Sequence, residues 1–223
     1  AAGSGDFAAS TSDTDSAFEQ AFLQSKNSLS GKKTGQKFIA YFQAYTNTYG
    51  PVSYLEKVYR LALKEPSVAG ISIATRPDCL PDNVMALLCR LKKEYPAKFI
   101  WLELGLQTIF ESSAAFIRRG YPLSCFEEAV YMLHEAGIPV ITHMILGLPH
   151  ETKEDIISSI EYLNQKPVWG VKLQLLHILK DTDLSFLYEK EPFLYGSYET
   201  LALYIDTLIP CLEHLRPDMV IHR

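Results

Sequence analysis

A chain of 223 residues with a net charge of −5, 48% apolar and 21% charged residues has the balance of one globular domain able to bury a sizeable core. The acidic balance speaks against a surface dominated by contacts to nucleic acid or anionic lipid. No apolar run approaches the roughly 18 residues of a membrane span, and the opening AAGSGDFAASTSDTD lacks the basic start and apolar stretch of a secretory signal. The four cysteines, Cys79, Cys89, Cys125 and Cys211, form no CxxC and read as reduced thiols of a cytoplasmic protein. Cys89, in VMALLCRL, reads as a small core residue.

Residues 1–35 are a polar segment with one helix near Ser16–Asn27, and residues 36–223 form a single core domain. The core alternates. Strand-like runs start at Phe38 (FIAYFQAY), Gly70 (GISIATR), Phe99 (FIWLELGLQ), Pro139 (PVITHMILG) and Gly170 (GVKLQLLHIL), each apolar and bounded by Gly or Pro. Helical patterns lie between them. Three carry a hydroxyl followed three residues later by an acid, a start signal: Ser53 with Glu56, Ser124 with Glu127, Thr152 with Asp155. Pro81 and Asp82 suit another first turn. A strand spacing of roughly 30–40 residues is that of βαβ units, so a parallel α/β barrel or open sheet follows. The last residues, MVIHR (Met219–Arg223), read as a strand with no turn or helix after it, so both ends of the chain are expected to be cut.

In a parallel barrel, functional residues sit at the C-terminal ends of strands and on the loops that follow. A buried parallel strand should be an almost continuous apolar run. Several here break that rule. Alternation puts Glu103, Gly105 and Gln107 on one face, Gln43 with Tyr45, Lys172 with Gln174, and His143 with Ile141 and Ile145. Each also has a purely structural reading. Glu103 would be a buried carboxylate satisfied by a lysine or backbone N–H, and Gln107 would cap a helix. His143 would be a core histidine, Lys172 would snorkel from a strand end, and Arg76 would serve only its turn. His177, near a strand end, fits either reading. HExxH, GxGxxG, GxxxxGK[ST] and GxSxG are all absent from the sequence.

Six segments occur in order: AYFQAYTNTYGPV (Ala40–Val52), GISIATRPDCLPD (Gly70–Asp82), WLELGLQT (Trp101–Thr108), IRRGY (Ile117–Tyr121), ITHMILGLPHET (Ile141–Thr152) and GVKLQLLHILKDTDL (Gly170–Leu184). Together they resemble the radical S-adenosylmethionine (SAM) superfamily, close to its YhcC-like branch. That branch is similar to the Elongator catalytic subunit and to oxygen-independent coproporphyrinogen oxidase. The resemblance implies an α/β fold, a partial (βα)6 TIM-like barrel of parallel strands. Here the first strand is expected to be missing and the last truncated.

The resemblance also implies chemistry. A CxxxCxxC loop after the family's first strand holds a [4Fe-4S] cluster, whose open iron binds SAM. Reductive cleavage then gives methionine and a 5′-deoxyadenosyl radical that abstracts hydrogen from substrate. No CxxxCxxC occurs here, so no cluster ligand is expected in this chain and the loop is expected upstream of residue 1. Carried over by motif, Gln43, Tyr45, Thr46 and Asn47 fall where the family meets the SAM amino group. Glu103 and Gln107 fall near the ribose and methionine, Arg119 at the SAM carboxylate, and His143 and Gly147 near the adenosyl group. Arg76, Lys172, Gln174 and His177 are the substrate-side candidates. The implied partners are a reductant such as flavodoxin or ferredoxin and a substrate, either tRNA, which the charge does not support, or a small metabolite. The alternative is a degenerate barrel that binds or assembles without catalysis.

Overall fold

The computed structural model describes Gln20, Gln24 and residues 35–43, 45–194 and 200–222. Gln20 and Gln24 are helical; the remainder of the helix expected near Ser16–Asn27 lies outside the described residues. Among the described residues six strands form one sheet in chain order, β1 to β6, with helices between successive strands. The chain divides into two compact units, Ala1–Leu102 and Glu103–Arg223.

The first unit holds β1 (Phe38–Phe42), α1 (Val52–Lys64), β2 (Val68–Thr75), α2 (Asp82–Glu94) and the first residues of β3 (Phe99–Gln107). β1 pairs with β2 in parallel, Phe38 opposite Val68 and Phe42 opposite Ile73. On α1, Leu55, Tyr59 and Leu63 recur every fourth residue and are buried. They form the core with Ile71 and Ile73 of β2 and Leu87, Leu88 and Leu91 of α2. β2 starts two residues before the expected Gly70. A Cβ on Gly70 would lie 2.4 Å from the Phe99 carbonyl oxygen, so glycine is required inside this strand.

The expected Ser53 cap does not form. Pro51 flanks the helix, and its carbonyl accepts from Tyr54 and Leu55 N–H, so α1 starts at Val52 without a side-chain cap. Glu56 instead pairs with Arg60 and Arg90. Asp82 occupies the first turn of α2, as expected. Cys89 is half-buried on that helix.

The second unit continues β3 and adds α3 (Glu111–Phe116), α4 (Leu123–Glu135), β4 (Val140–Leu146), α5 (Lys153–Asn164), β5 (Gly170–Leu175), α6 (Asp183–Lys190), α7 (Leu201–His214) and β6 (Val220–His222). β4 pairs with β5, and β5 with β6, all parallel. Here too one expected cap fails. α4 follows Pro122 with no side-chain cap, and Glu127 reaches Tyr162 Oη at 2.8 Å and Lys166 Nζ at 2.5 Å. The Thr152–Asp155 capping box on α5 is present with both reciprocal hydrogen bonds. Cys211 of α7 is buried against Leu146, Ile156 and Ile160.

Candidate functional site

The two faces of β3 differ chemically. Ile100, Leu102, Leu104 and Leu106 are 0–3% exposed and belong to the core. The alternating positions carry Glu103, Gly105 and Gln107, one face as the sequence pattern expects. In the neighbouring strands of the second unit, His143 stands opposite Lys172 and Lys172 opposite His222.

These residues meet. One carboxylate oxygen of Glu103, Oε2, accepts from Lys172 Nζ at 2.8 Å and lies 2.6 Å from His143 Nε2. An ionised Glu103 assigns the Nε2 proton to His143 as donor. The Glu103 and Lys172 side chains are 5% and 8% exposed, so this is a buried ion pair rather than a solvated one. His222 extends the row. Burial first pushes its pKa down; the Glu103 carboxylate opposes this, and the Lys172 ammonium adds to it. Its ring also meets Trp169 edge-on at 5.2 Å. Glu103, a cofactor-side candidate, and Lys172, a substrate-side candidate, thus form one charge cluster.

The end of β3 is shaped by a second group. Gln107 has a φ of 63°, left-handed for a residue with a side chain. Such a backbone costs on the order of 1–3 kcal/mol unless its surroundings impose it. Arg119 imposes it. Its Nη1 donates to the carbonyls on either side of Gln107, Leu106 O at 3.2 Å and Thr108 O at 2.8 Å. Nε donates to Tyr121 O at 2.9 Å, and Nη2 to both Glu111 oxygens at 3.1 Å. Tyr121 Oη donates to Gly105 O at 2.8 Å and lies 3.3 Å from Gln107 Oε1. Gly105 makes room for this amide: a Cβ there would be 2.5 Å from Gln107 Nε2. Among the described residues nothing accepts a hydrogen bond from that nitrogen.

Beside it, Thr108 Oγ1 donates to Glu151 Oε1 at 2.5 Å. Burial pushes the Glu151 pKa up, against the pull of Thr108 and Ser113. Gly147 follows β4 with a φ of 85°, a conformation suited to glycine. Gln174 is exposed at the end of β5, and His177 is exposed two residues beyond it.

In the first unit the loop after β1 is tied down by Asn47. Its Nδ2 donates to Phe42 O, Tyr45 O and Ala74 O at 2.9–3.2 Å. The buried Tyr59 hydroxyl donates to Asn47 O, and Thr48 Oγ1 donates to Cys79 O at 2.6 Å. Asn47 therefore braces the loop that carries Tyr45, whose φ is 62°. Tyr45, Thr46, Tyr49, Arg76, Asp78 and Cys79 line one recess of about 480 Å³. Arg76 makes a two-pronged pair with Asp78 at 2.8 and 2.6 Å. Gln43 is exposed.

Reading strands by alternation found Glu103, His143 and Lys172. It missed Tyr121, Glu111, Glu151 and His222, which come from loops, a short helix and a terminal strand. Among the described residues no three His, Cys, Asp or Glu side chains group to hold a metal. Cys79, Cys89, Cys125 and Cys211 are all free thiols. These residues do not fit an iron–sulfur cluster, which wants grouped thiolates.

Comparisons with known proteins give the family and the fold. The radical SAM superfamily model matches residues 27–163, and the radical SAM C-terminal domain model matches residues 168–223. YtqA of Bacillus subtilis is 41% identical over 225 aligned residues, covering 100% of this chain and 66% of its own length. YhcC of Escherichia coli K12 is 33% identical over 190 residues, covering 84% of this chain and 59% of its own. The chain thus spans about three fifths to two thirds of these relatives. The solved structure of the archaeal Methanocaldococcus infernus Elp3, lacking its N-terminal residues 1–46, superposes with a TM-score of 0.71 at 14% identity, over 93% of this chain and 51% of that one. That likeness shows the fold, an α/β partial barrel of parallel strands. With a family model covering more than half of its residues, the chain belongs to the radical SAM superfamily.

Proposed function

We propose that this chain forms the SAM-binding and substrate-facing walls of a radical SAM enzyme whose cluster is held by residues other than those described. The superfamily in general uses SAM, a [4Fe-4S] cluster and a reductant, here of flavodoxin or ferredoxin type. With a reduced cluster held elsewhere, SAM would accept one electron and part into methionine and a 5′-deoxyadenosyl radical able to take a hydrogen atom from substrate.

The observation that carries the reading is Gln107. Its backbone is held left-handed at the C-terminal end of β3, and its amide lies over Gly105 with Nε2 unclaimed by the described residues. A neutral, fixed donor suits the polar atoms of a nucleoside or amino-acid ligand, and fixing it beforehand removes the ordering cost of binding. Gly147 keeps the chain after β4 open for close backbone approach to a ring. Tyr45 and Thr46, on the loop braced by Asn47, are the first unit's candidates for the amino-acid end of SAM. On the substrate side, Lys172 and His143 bracket Glu103 and set the charge of that wall. Gln174 and His177 add polar groups further along β5. Cytoplasmic residence, with reduced thiols, belongs to the same reading.

The test is direct. The full-length protein, its cluster reconstituted anaerobically and reduced, converts SAM to 5′-deoxyadenosine and methionine, measured by chromatography. Gln107→Ala slows this roughly 5- to 150-fold, because a buried polar partner is left unpaired, while the cluster absorbance stays unchanged. A protein that assembles its cluster yet never cleaves SAM is the degenerate, non-catalytic barrel.

A further inference from the structure

Arg119 presents a conflict between resemblance and geometry. By motif it falls where the family holds the SAM carboxylate. In the structure its side chain is 1% exposed, and all three of its nitrogens already have acceptors. Nε–H goes to Tyr121 O, Nη1 donates to Leu106 O and Thr108 O, and Nη2 meets both oxygens of the Glu111 carboxylate. A guanidinium so buried and so engaged is committed to this chain's own groups. The two Nη1 acceptors are the carbonyls that flank Gln107, the residue with the left-handed backbone. The Nε acceptor belongs to Tyr121, whose hydroxyl meets Gly105 O and sits beside Gln107 Oε1. One cation therefore holds the carbonyls of the residues before and after Gln107 and the residue that borders its amide.

We infer that Arg119 is a positioning residue that acts on SAM only through Gln107, and does not itself touch the ligand. The inference rests on the reading of Gln107 as a SAM contact. Lysine cannot reproduce the arrangement, since a single ammonium cannot span carbonyls at residues 106, 108 and 121 and a carboxylate in one plane. Glu111 is the adjustable part of the clamp: its carboxylate is 59% exposed and also accepts from Leu123 N–H at 2.7 Å.

A double-mutant cycle on the full-length, cluster-loaded protein tests this, with SAM affinity read by equilibrium dialysis and thermal midpoint read in parallel. Gln107→Ala and Arg119→Lys should each weaken SAM roughly tenfold. The double variant should be no weaker than the worse single within about twofold, because residues acting through one another are not additive. Independent losses that multiply to roughly a hundredfold would place Arg119 on the ligand and overturn the inference.

Two further variants keep the test sharp if Arg119→Lys does not fold. Glu111→Gln loosens the clamp from its exposed side. It should weaken SAM if Arg119 positions Gln107, and tighten SAM if the released Nη2 binds the carboxylate. Gly105→Ala leaves Arg119 untouched but puts a Cβ 2.5 Å from Gln107 Nε2; it should match Gln107→Ala in SAM affinity at an unchanged thermal midpoint. Wild-type affinity in Gln107→Ala would overturn the inference alone. A wild-type protein that binds no SAM at all would overturn the proposed function and the inference with it.

Discussion

Replacing Lys172 by methionine keeps the aliphatic stem and deletes the charge. Glu103 is left as a carboxylate that is 5% exposed in the wild type, having lost a donor at 2.8 Å and keeping His143 at 2.6 Å. Removing one partner of a buried ion pair costs about 3–5 kcal/mol, because the remaining ion is uncompensated. His143 still donates, so the lower end applies, about 3 kcal/mol. For a protein of this size each kcal/mol moves the melting temperature roughly 2–4 °C, so the expected drop is about 6–12 °C. Differential scanning fluorimetry and urea denaturation of the full-length protein measure it. The companion variant Lys172→Met/Glu103→Gln removes both charges, while the carbonyl oxygen of the new amide still accepts from His143. It should recover more than half of the loss. A Lys172→Met protein within about 0.5 kcal/mol of wild type, or a double variant as unstable as the sum of the singles, would refute the buried-pair reasoning.

Thr152→Ala removes the hydroxyl that caps α5 and should cost about 1 kcal/mol in urea denaturation, whereas Thr152→Ser, which keeps a hydroxyl, should lose little; a neutral alanine variant would show that Asp155 alone sustains the cap. Glu151 has a folded-state pKa raised by burial, so its ionisation costs stability as pH rises from the ordinary carboxylate range through the raised value. Glu151→Gln should therefore gain on wild type more at about pH 8 than at about pH 5, and a gain independent of pH would contradict this. His222, its pKa lowered by burial first, favours the unfolded chain as pH falls through the ordinary histidine range. His222→Phe should flatten the acid side of the stability curve, and an equally steep acid limb would count against it. The chain of residues 1–223, reconstituted anaerobically by itself, should retain no stoichiometric iron and sulfide, since its four thiols are scattered.

The strands were legible because burial on a sheet has a period of two. β3 spans the residues expected from FIWLELGLQ, and the odd polar positions of β3, β4 and β5 converge on one oxygen, as polar breaks in apolar runs suggest. Starts of helices were less legible. The Ser53 and Ser124 signals yield to Pro51 and Pro122, whose fixed φ begins each helix earlier. Thr152 has no such proline before it at the cap and keeps its box. The rest of the site depends on tertiary direction, which spacing does not encode. Arg119 lies twelve residues after Gln107 either as a ligand or as a clamp; only the carbonyls of Leu106 and Thr108 in front of it separate the two. Nor does any local pattern announce that Gln107, not a glycine, takes a left-handed backbone.

The convergence of Lys172 and His143 on a single Glu103 oxygen also bears on how this wall can diverge over generations. The residues sit on three strands, and the two ends of the ion pair are 69 positions apart in the chain. A change at Lys172 alone takes the charged partner from a buried anion, and a change at Glu103 alone takes it from a buried cation, so either single step passes through a less stable protein. Descendants with a different wall chemistry should differ at these positions together, or reach the new set only after a stabilising change elsewhere. Distant stretches of the gene are thereby tied into one unit of inheritance by a shared lone pair.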